Sequence, residues 1–98
     1  MPRILLKIAN NNAPQQVTGS TTLFRNATFF GVSGFNPSGI PINNSGIVYF
    51  GVSSGECVMN VATGGSTQYV IPTTQERDSL SNYWYQGNSL DGLYIIYN

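Results

Sequence analysis

Apolar residues run along this chain in stretches of five to eight, rich in β-branched and aromatic side chains and bounded by Gly, Pro, Asn and Ser. No window of useful length shows them at helical spacing, so the pattern predicts strands and turns. Strands are expected at Ile4–Ile8, Val17–Arg25, Thr28–Ser33, Gly46–Val52, Cys57–Val61, Gln68–Pro72, Asn82–Gln86 and Leu93–Tyr97. The breaks between them carry turn chemistry, as in Asn10-Asn11-Asn12-Ala13-Pro14, Ser53-Ser54-Gly55, Thr63-Gly64-Gly65 and Gly87-Asn88-Ser89-Leu90-Asp91-Gly92. The polar segment Thr73–Ser81, which follows Pro72, suits a single helical turn. The expected fold class is all-β: a single-domain β-sandwich or jelly roll of about seven to nine strands.

Within that frame several segments depart from plain in-out alternation. Leu93-Tyr94-Ile95-Ile96-Tyr97 is apolar at both alternating sets of positions, and Tyr83-Trp84-Tyr85 is aromatic at both. Such strands either lie in the middle of a sheet covered on both sides or turn one face to another subunit, where aromatic residues are enriched. Tyr83, Trp84 and Tyr85 are therefore candidate partner-binding residues. Thr28-Phe29-Phe30-Gly31-Val32-Ser33 is echoed twenty residues later by Val48-Tyr49-Phe50-Gly51-Val52-Ser53. The echo is either chance or two strands of similar environment, each with a glycine where a bulge or a close neighbouring backbone requires one. Between them Gly34–Ser45 reads as a long loop whose apolar members, Phe35, Ile40 and Ile42, either cap the sandwich or contact a partner. Residues 1–15 are either an N-terminal arm that contacts a partner through Ile4, Leu5 and Leu6 or the start of a core strand.

Length and charge narrow the class. The 98 residues make one domain that can bury roughly 60 to 68% of its unfolded surface without staples. Cys57 is the lone cysteine, so no intrachain disulfide forms and a secreted disulfide scaffold is disfavoured. The first residues lack the apolar run of a signal peptide, because Lys7 interrupts it, and no stretch is suited to a membrane span. Asn26-Ala27-Thr28 and Asn43-Asn44-Ser45 then read as chance matches to the glycosylation pattern. Four basic and four acidic residues give zero net charge, where an ordinary domain has about a quarter of its residues charged. A surface with so little repulsion suits a protein packed beside other proteins, and self-association is expected, with a neutral, well-hydrated monomer as the alternative.

Catalytic chemistry is scarce. The chain has no histidine, which removes the commonest general base and the commonest transition-metal ligand together. Cys57 has no evident base, and a buried structural thiol is its default. Glu56, Glu76, Asp78 and Asp91 are the four carboxylates, scattered without the spacing of a calcium loop. A facing pair of the glycosidase type is arithmetically possible among them but unsupported by any motif. Arg3, Lys7, Arg25 and Arg77 are too few and too dispersed to bind a phosphate backbone. The expectation is a protein with no enzymatic activity, no cofactor, no metal, no nucleic acid and no membrane. A small carbohydrate-binding module, stacking sugar rings on Tyr83, Trp84 and Tyr85, is the alternative binding class.

From about Gly46 the succession of segments Ile47–Gly51, Gly64–Pro72, Leu80–Gly87 and Asp91–Tyr97 forms a pattern that resembles small virion proteins of tailed bacteriophages. The residues that carry the likeness are the strand Ile47-Val48-Tyr49-Phe50-Gly51, the turn and strand Gly64-Gly65-Ser66-Thr67-Gln68-Tyr69-Val70-Ile71-Pro72, the aromatic strand Leu80-Ser81-Asn82-Tyr83-Trp84-Tyr85-Gln86-Gly87 and the closing Asp91-Gly92-Leu93-Tyr94-Ile95-Ile96-Tyr97. Ala62-Thr63-Gly64-Gly65 stands where a proline-glycine turn is common. The resemblance covers about half of the chain, and its motifs are strands and turns without chemistry. It implies a β-sandwich component of a capsid, neck or tail, most simply a capsid decoration or cement protein that binds the major capsid protein or other virion proteins. A homo-oligomer, by analogy a trimer, and a place in the virion after synthesis in the bacterial cytoplasm are implied with it. A neck or tail adaptor is the nearest alternative.

Overall fold

A computed structural model describes residues 2–98. Two four-stranded antiparallel sheets form the body, and two short pairs of strands join them. In chain order the strands are β1 (Arg3–Lys7), β2 (Gln15–Gln16), β3 (Leu23–Phe24), β4 (Asn26–Phe30), β5 (Val32–Phe35), β6 (Pro41–Asn43), β7 (Val48–Gly51), β8 (Met59–Val61), β9 (Ser66–Val70), β10 (Asp78–Ser79), β11 (Trp84–Gln86) and β12 (Gly92–Tyr97). One sheet runs β1-β12-β4-β9 and the other β2-β11-β7-β8. The fold is an all-β sandwich, as the strand pattern predicts.

The core lies between the inner faces of the two sheets. β4 alternates in register with its burial: Ala27 and Phe29 are fully buried, whereas Asn26, Thr28 and Phe30 are half-exposed. Across it, Ile95 sits opposite Phe29 and Leu93 opposite Leu6, so Ile95, Leu93, Leu6 and Ile4 join the same inner layer. Phe50 on β7 meets Phe29 from the facing sheet, the rings stacked at 4.2 Å between centroids. A second aromatic group, Phe24, Tyr69 and Tyr83, packs edge to face at 5.8 to 6.2 Å. Edge-to-face and offset stacking are the arrangements that ring quadrupoles favour.

The expected strand Val17–Arg25 is broken: β2 ends at Gln16 and β3 begins at Leu23, with Thr18 and Thr22 side chains both donating to the Ser20 carbonyl between them. Local hydroxyl-to-backbone bonding of this kind competes with a sheet ladder. The long loop expected at Gly34–Ser45 is instead a hairpin of β5 and β6. Asn36 closes its turn, its Oδ1 accepting from the amides of Ser38 and Ile40 while Gly39 takes a positive φ of 81°. The helical turn expected within Thr73–Ser81 lies only at its end, as a 3₁₀ turn over Leu80–Asn82 capped by the Ser79 hydroxyl, while Asp78–Ser79 form β10. Residues 3–7 pair along their length with β12, so they are an edge strand of the sandwich and not a free arm.

The echoed hexapeptides illustrate what a motif leaves open. Their glycines do answer one need: a Cβ on Gly31 would collide with the Ala62 carbonyl, and one on Gly51 with the Glu56 carbonyl. Their aromatics, however, have opposite phase. Phe29 is buried where its counterpart Tyr49 is exposed, and Phe30 is half-exposed where Phe50 is buried.

Candidate functional site

The outer face of the β1-β12-β4-β9 sheet follows from its registers. Arg3, Leu5 and Lys7 on β1 stand opposite Ile96, Tyr94 and Gly92 on β12, and Tyr94 and Ile96 in turn stand opposite Phe30 and Thr28 on β4. Ser66, Gln68 and Val70 complete the face on β9. The β5–β6 hairpin lies against it where Gly92 has no side chain: a Cβ there would stand 2.6 Å from the Leu6 carbonyl oxygen and 2.8 Å from that of Val32. The missing Cβ is what lets the β5 backbone cross so closely.

Two hydrogen-bond sets pin the end of that hairpin to β12. The Asn44 side chain donates to the Gly92 carbonyl and accepts from the Gly92 amide, both at 2.8 Å. The buried Asp91 carboxylate accepts from the Ser45 amide at 2.8 Å, from the Gly46 amide at 3.1 Å and from the Ser45 hydroxyl. So anchored, the hairpin sets Phe35 edge-on to Tyr94, 5.1 Å between ring centroids. The result is an open groove of about 540 Å³ lined by Arg3, Leu5, Phe35 and Tyr94. It adjoins a smaller apolar hollow bounded by Phe30, Val32, Phe35, Pro41 and Tyr94.

The candidate residues are thereby sorted. Leu5 and Phe35, from distant parts of the chain, meet in one groove and are 46% and 43% exposed. Ile40 follows the hairpin turn and Ile42 lies on β6, both exposed. Ile4 and Leu6 point the other way and pack against the core. Tyr83 and Tyr85 are buried at 2% and 4% exposure, which corrects their expected part in an outer contact. Tyr83 is held by Phe24 and Tyr69, and Tyr85 stands opposite Phe50. Trp84 is half-exposed on the other sheet's outer face, with Gln16 on one side and Gly51 on the other. Sequence reasoning passed over Arg3 and Tyr94 as site residues, although the apolar run at both faces of Leu93–Tyr97 was a signal for Tyr94.

The reactive groups are committed elsewhere. The Cys57 thiol contacts the Ser53 carbonyl at 3.6 Å, and burial pushes its pKa up, away from the thiolate. Among the described residues no group of three Cys, Asp or Glu side chains is placed to hold a metal ion. Burial raises Asp78, but hydrogen bonds from the Tyr83 hydroxyl at 2.7 Å, the Asn82 amide and the Ser79 backbone amide outweigh it and hold the carboxyl below its usual range. For Tyr83, burial and then the Asp78 carboxylate push the hydroxyl far above its ordinary 10. The depressed acid contributes stability that is present above about pH 4 and is lost as pH falls. The raised phenol contributes stability present in full below about pH 10 and lost as pH rises, because only the unfolded chain then ionises. The raised Cys57 thiol adds a loss that begins lower, in the ordinary cysteine range, so urea midpoints should be level from about pH 4 to about pH 8.5 and fall outside these limits. Tyr83→Phe should shrink the alkaline fall while leaving the parts due to Tyr85 and Cys57, both of which burial also raises. Equal alkaline falls in the two proteins would remove Tyr83 from this account.

Compared with known protein families, with curated proteins and with solved structures, the chain finds no match in any of the three.

Proposed function

We propose that this domain is a non-catalytic virion structural protein that decorates and cements an assembled bacteriophage shell, docking through the outer face of its β1-β12-β4-β9 sheet. The observation that carries the reading is the convergence of Leu5, Phe35 and Tyr94 into one exposed apolar groove on a chain of zero net charge. A face with solvent-exposed aromatic and aliphatic side chains lowers its free energy when another protein covers it, and weak contacts repeated over a symmetric shell add up through effective concentration. The resemblance of the C-terminal half to small phage virion proteins supplies the choice of partner.

Imaging of native particles tests this. Density for the chain on the outer shell at capsid symmetry is expected, density at the neck or tail axis transfers the claim to an adaptor, and absence from the particle overturns it. Leu5→Asp combined with Phe35→Ser should cut shell occupancy at least about tenfold while leaving the melting temperature near that of the parent, since both side chains are exposed. Self-association belongs to the same reading. Light scattering should find a homo-oligomer, a trimer by analogy, and a monomer at high micromolar concentration would restrict assembly to the shell itself.

A second reading rests on the opposite face. Trp84 stands between Gln16 and Gly51, and Tyr49 between Gln86 and Asn60, so two aromatic rings and three amides share the outer face of the β2-β11-β7-β8 sheet. Aromatic faces beside amides suit the stacking and hydrogen bonding of a sugar. Glycan-array binding that disappears in Trp84→Ala would favour this carbohydrate-binding module over the cement.

A further inference from the structure

β1 is an edge strand, and its hydrogen-bonding phase determines what that edge offers. The Tyr97 amide donates to the Pro2 carbonyl and the Ile8 amide to the Asp91 carbonyl, both in register with the Ile4–Ile95 and Leu6–Leu93 pairs. Even-numbered residues thus face β12, and the N–H and C=O groups of Arg3, Leu5 and Lys7 point away from the sheet. Of these groups the Lys7 carbonyl accepts a long bond, 3.4 Å, from the Tyr85 hydroxyl. The side chains of the same three residues lie on the outer face, so a row of open backbone groups runs beside the groove.

Charge decides which strand fits. No carboxylate lies on this face: its positions on β1, β12, β4 and β9 carry Arg3 and Lys7 and otherwise neutral side chains. Arg25 is committed to the carbonyls of Ile71, Pro72 and Gln75, but Arg3 and Lys7 are exposed on either side of Leu5. A second copy of β1 pairing antiparallel about Leu5 would set Arg3 opposite Lys7 twice over, and like charges directly across a ladder are destabilising. Charged edge residues discourage self-pairing of this kind. They favour a strand with the opposite pattern.

We propose that the β1 edge accepts, by β-strand addition, an extended segment of another protein with acidic, apolar and acidic residues at positions i, i+2 and i+4. The two acids pair with Arg3 and Lys7 while the apolar residue stands opposite Leu5 and enters the groove beside Phe35 and Tyr94. Main-chain hydrogen bonds to Arg3, Leu5 and Lys7 supply the attachment, and the alternate side chains supply its selectivity. The inference stands on the edge itself and is independent of which assembly the domain joins.

The test uses the full chain and the peptide Ser-Glu-Thr-Leu-Thr-Glu-Ser, with Ser-Lys-Thr-Leu-Thr-Lys-Ser as the control, titrated by NMR at low ionic strength. The acidic peptide should bind about tenfold more tightly, weaken with salt, and shift and protect the Arg3, Leu5 and Lys7 amides. Arg3→Glu with Lys7→Glu should reverse the preference between the two peptides. Leu5→Pro, which removes an outward N–H and no internal ladder bond, should keep the fold and abolish binding of both. Equal affinity for the two peptides, shifts confined to another part of the molecule, or self-pairing of the free chain through β1 would each overturn the proposal. Capsid binding by a protein whose edge ignores both peptides would leave the cement reading standing while removing this one.

Discussion

Phe50→Ala should lower the unfolding free energy by about 3 to 5 kcal/mol, the range for truncating a fully buried aromatic side chain. Phe50 has no exposed surface and stacks on Phe29 across the gap between the two sheets. Removing its ring takes away apolar burial and leaves a cavity at the centre of the sandwich, bordered by β-strands that cannot close on it without losing register. Domains of this size hold about 5 to 15 kcal/mol in total, so the variant should lose a large share of its stability and unfold at a markedly lower urea concentration. Phe50→Leu keeps part of the volume and should lose less. Urea unfolding of both variants, with a double-mutant cycle against Phe29→Leu, measures the cost and the part of it due to the stack. A loss under about 1 kcal/mol for Phe50→Ala would mean that the two sheets repack freely, contrary to the close packing on which this account depends.

The second large effect is expected at Asp91. Its carboxylate is buried and gathers the amides of Ser45 and Gly46 together with the Ser45 hydroxyl. Asp91→Ala removes the acceptor and strands those donors in a partly buried site, at a cost of about 2 to 4 kcal/mol, because bonds to an ionised group are the stronger kind. Asp91→Asn keeps one carbonyl oxygen but turns an NH₂ group toward a donor, so an intermediate loss is expected. Hydrogen exchange gives a local reading: the Ser45 and Gly46 amides should lose protection well beyond the global change. As Asp91 ties the end of the β5–β6 hairpin to β12, the Phe35–Tyr94 contact should loosen as well, and shell or peptide binding should fall with it. Unchanged protection at Ser45 and Gly46 would show that water replaces the carboxylate at little cost.

These two sites illustrate different legibility. The Phe50 strand announces itself through β-branched and aromatic residues ending in glycine, and the need for Gly51 follows from a carbonyl that passes too close for any Cβ. Asp91 reads in the chain as one of four scattered carboxylates, a possible acid among others. Its role depends on residues 45 and 46 positions earlier in the chain, which no local pattern connects to it.

By itself the sequence determined the all-β class, most strand positions and the apolar character of β12 on both faces, while the need for glycine at 31 and 51 was left open until the Ala62 and Glu56 carbonyls were placed. The first three follow from composition and from a period of two, which are properties of short windows. Tertiary structure alone decided which face is which. Phe29 and Phe50 turn inward while their aligned counterparts Tyr49 and Phe30 turn outward, and Tyr83 and Tyr85 enter the core while Trp84 does not. It also made a hairpin of the segment after Gly34 and carried Phe35 to Leu5 and Tyr94. The physical reason is that alternation fixes only that neighbouring side chains oppose each other. The side that meets a partner sheet is chosen by non-local pairing, and for this chain that choice rests on registers between residues as far apart as Arg3 and Ile96.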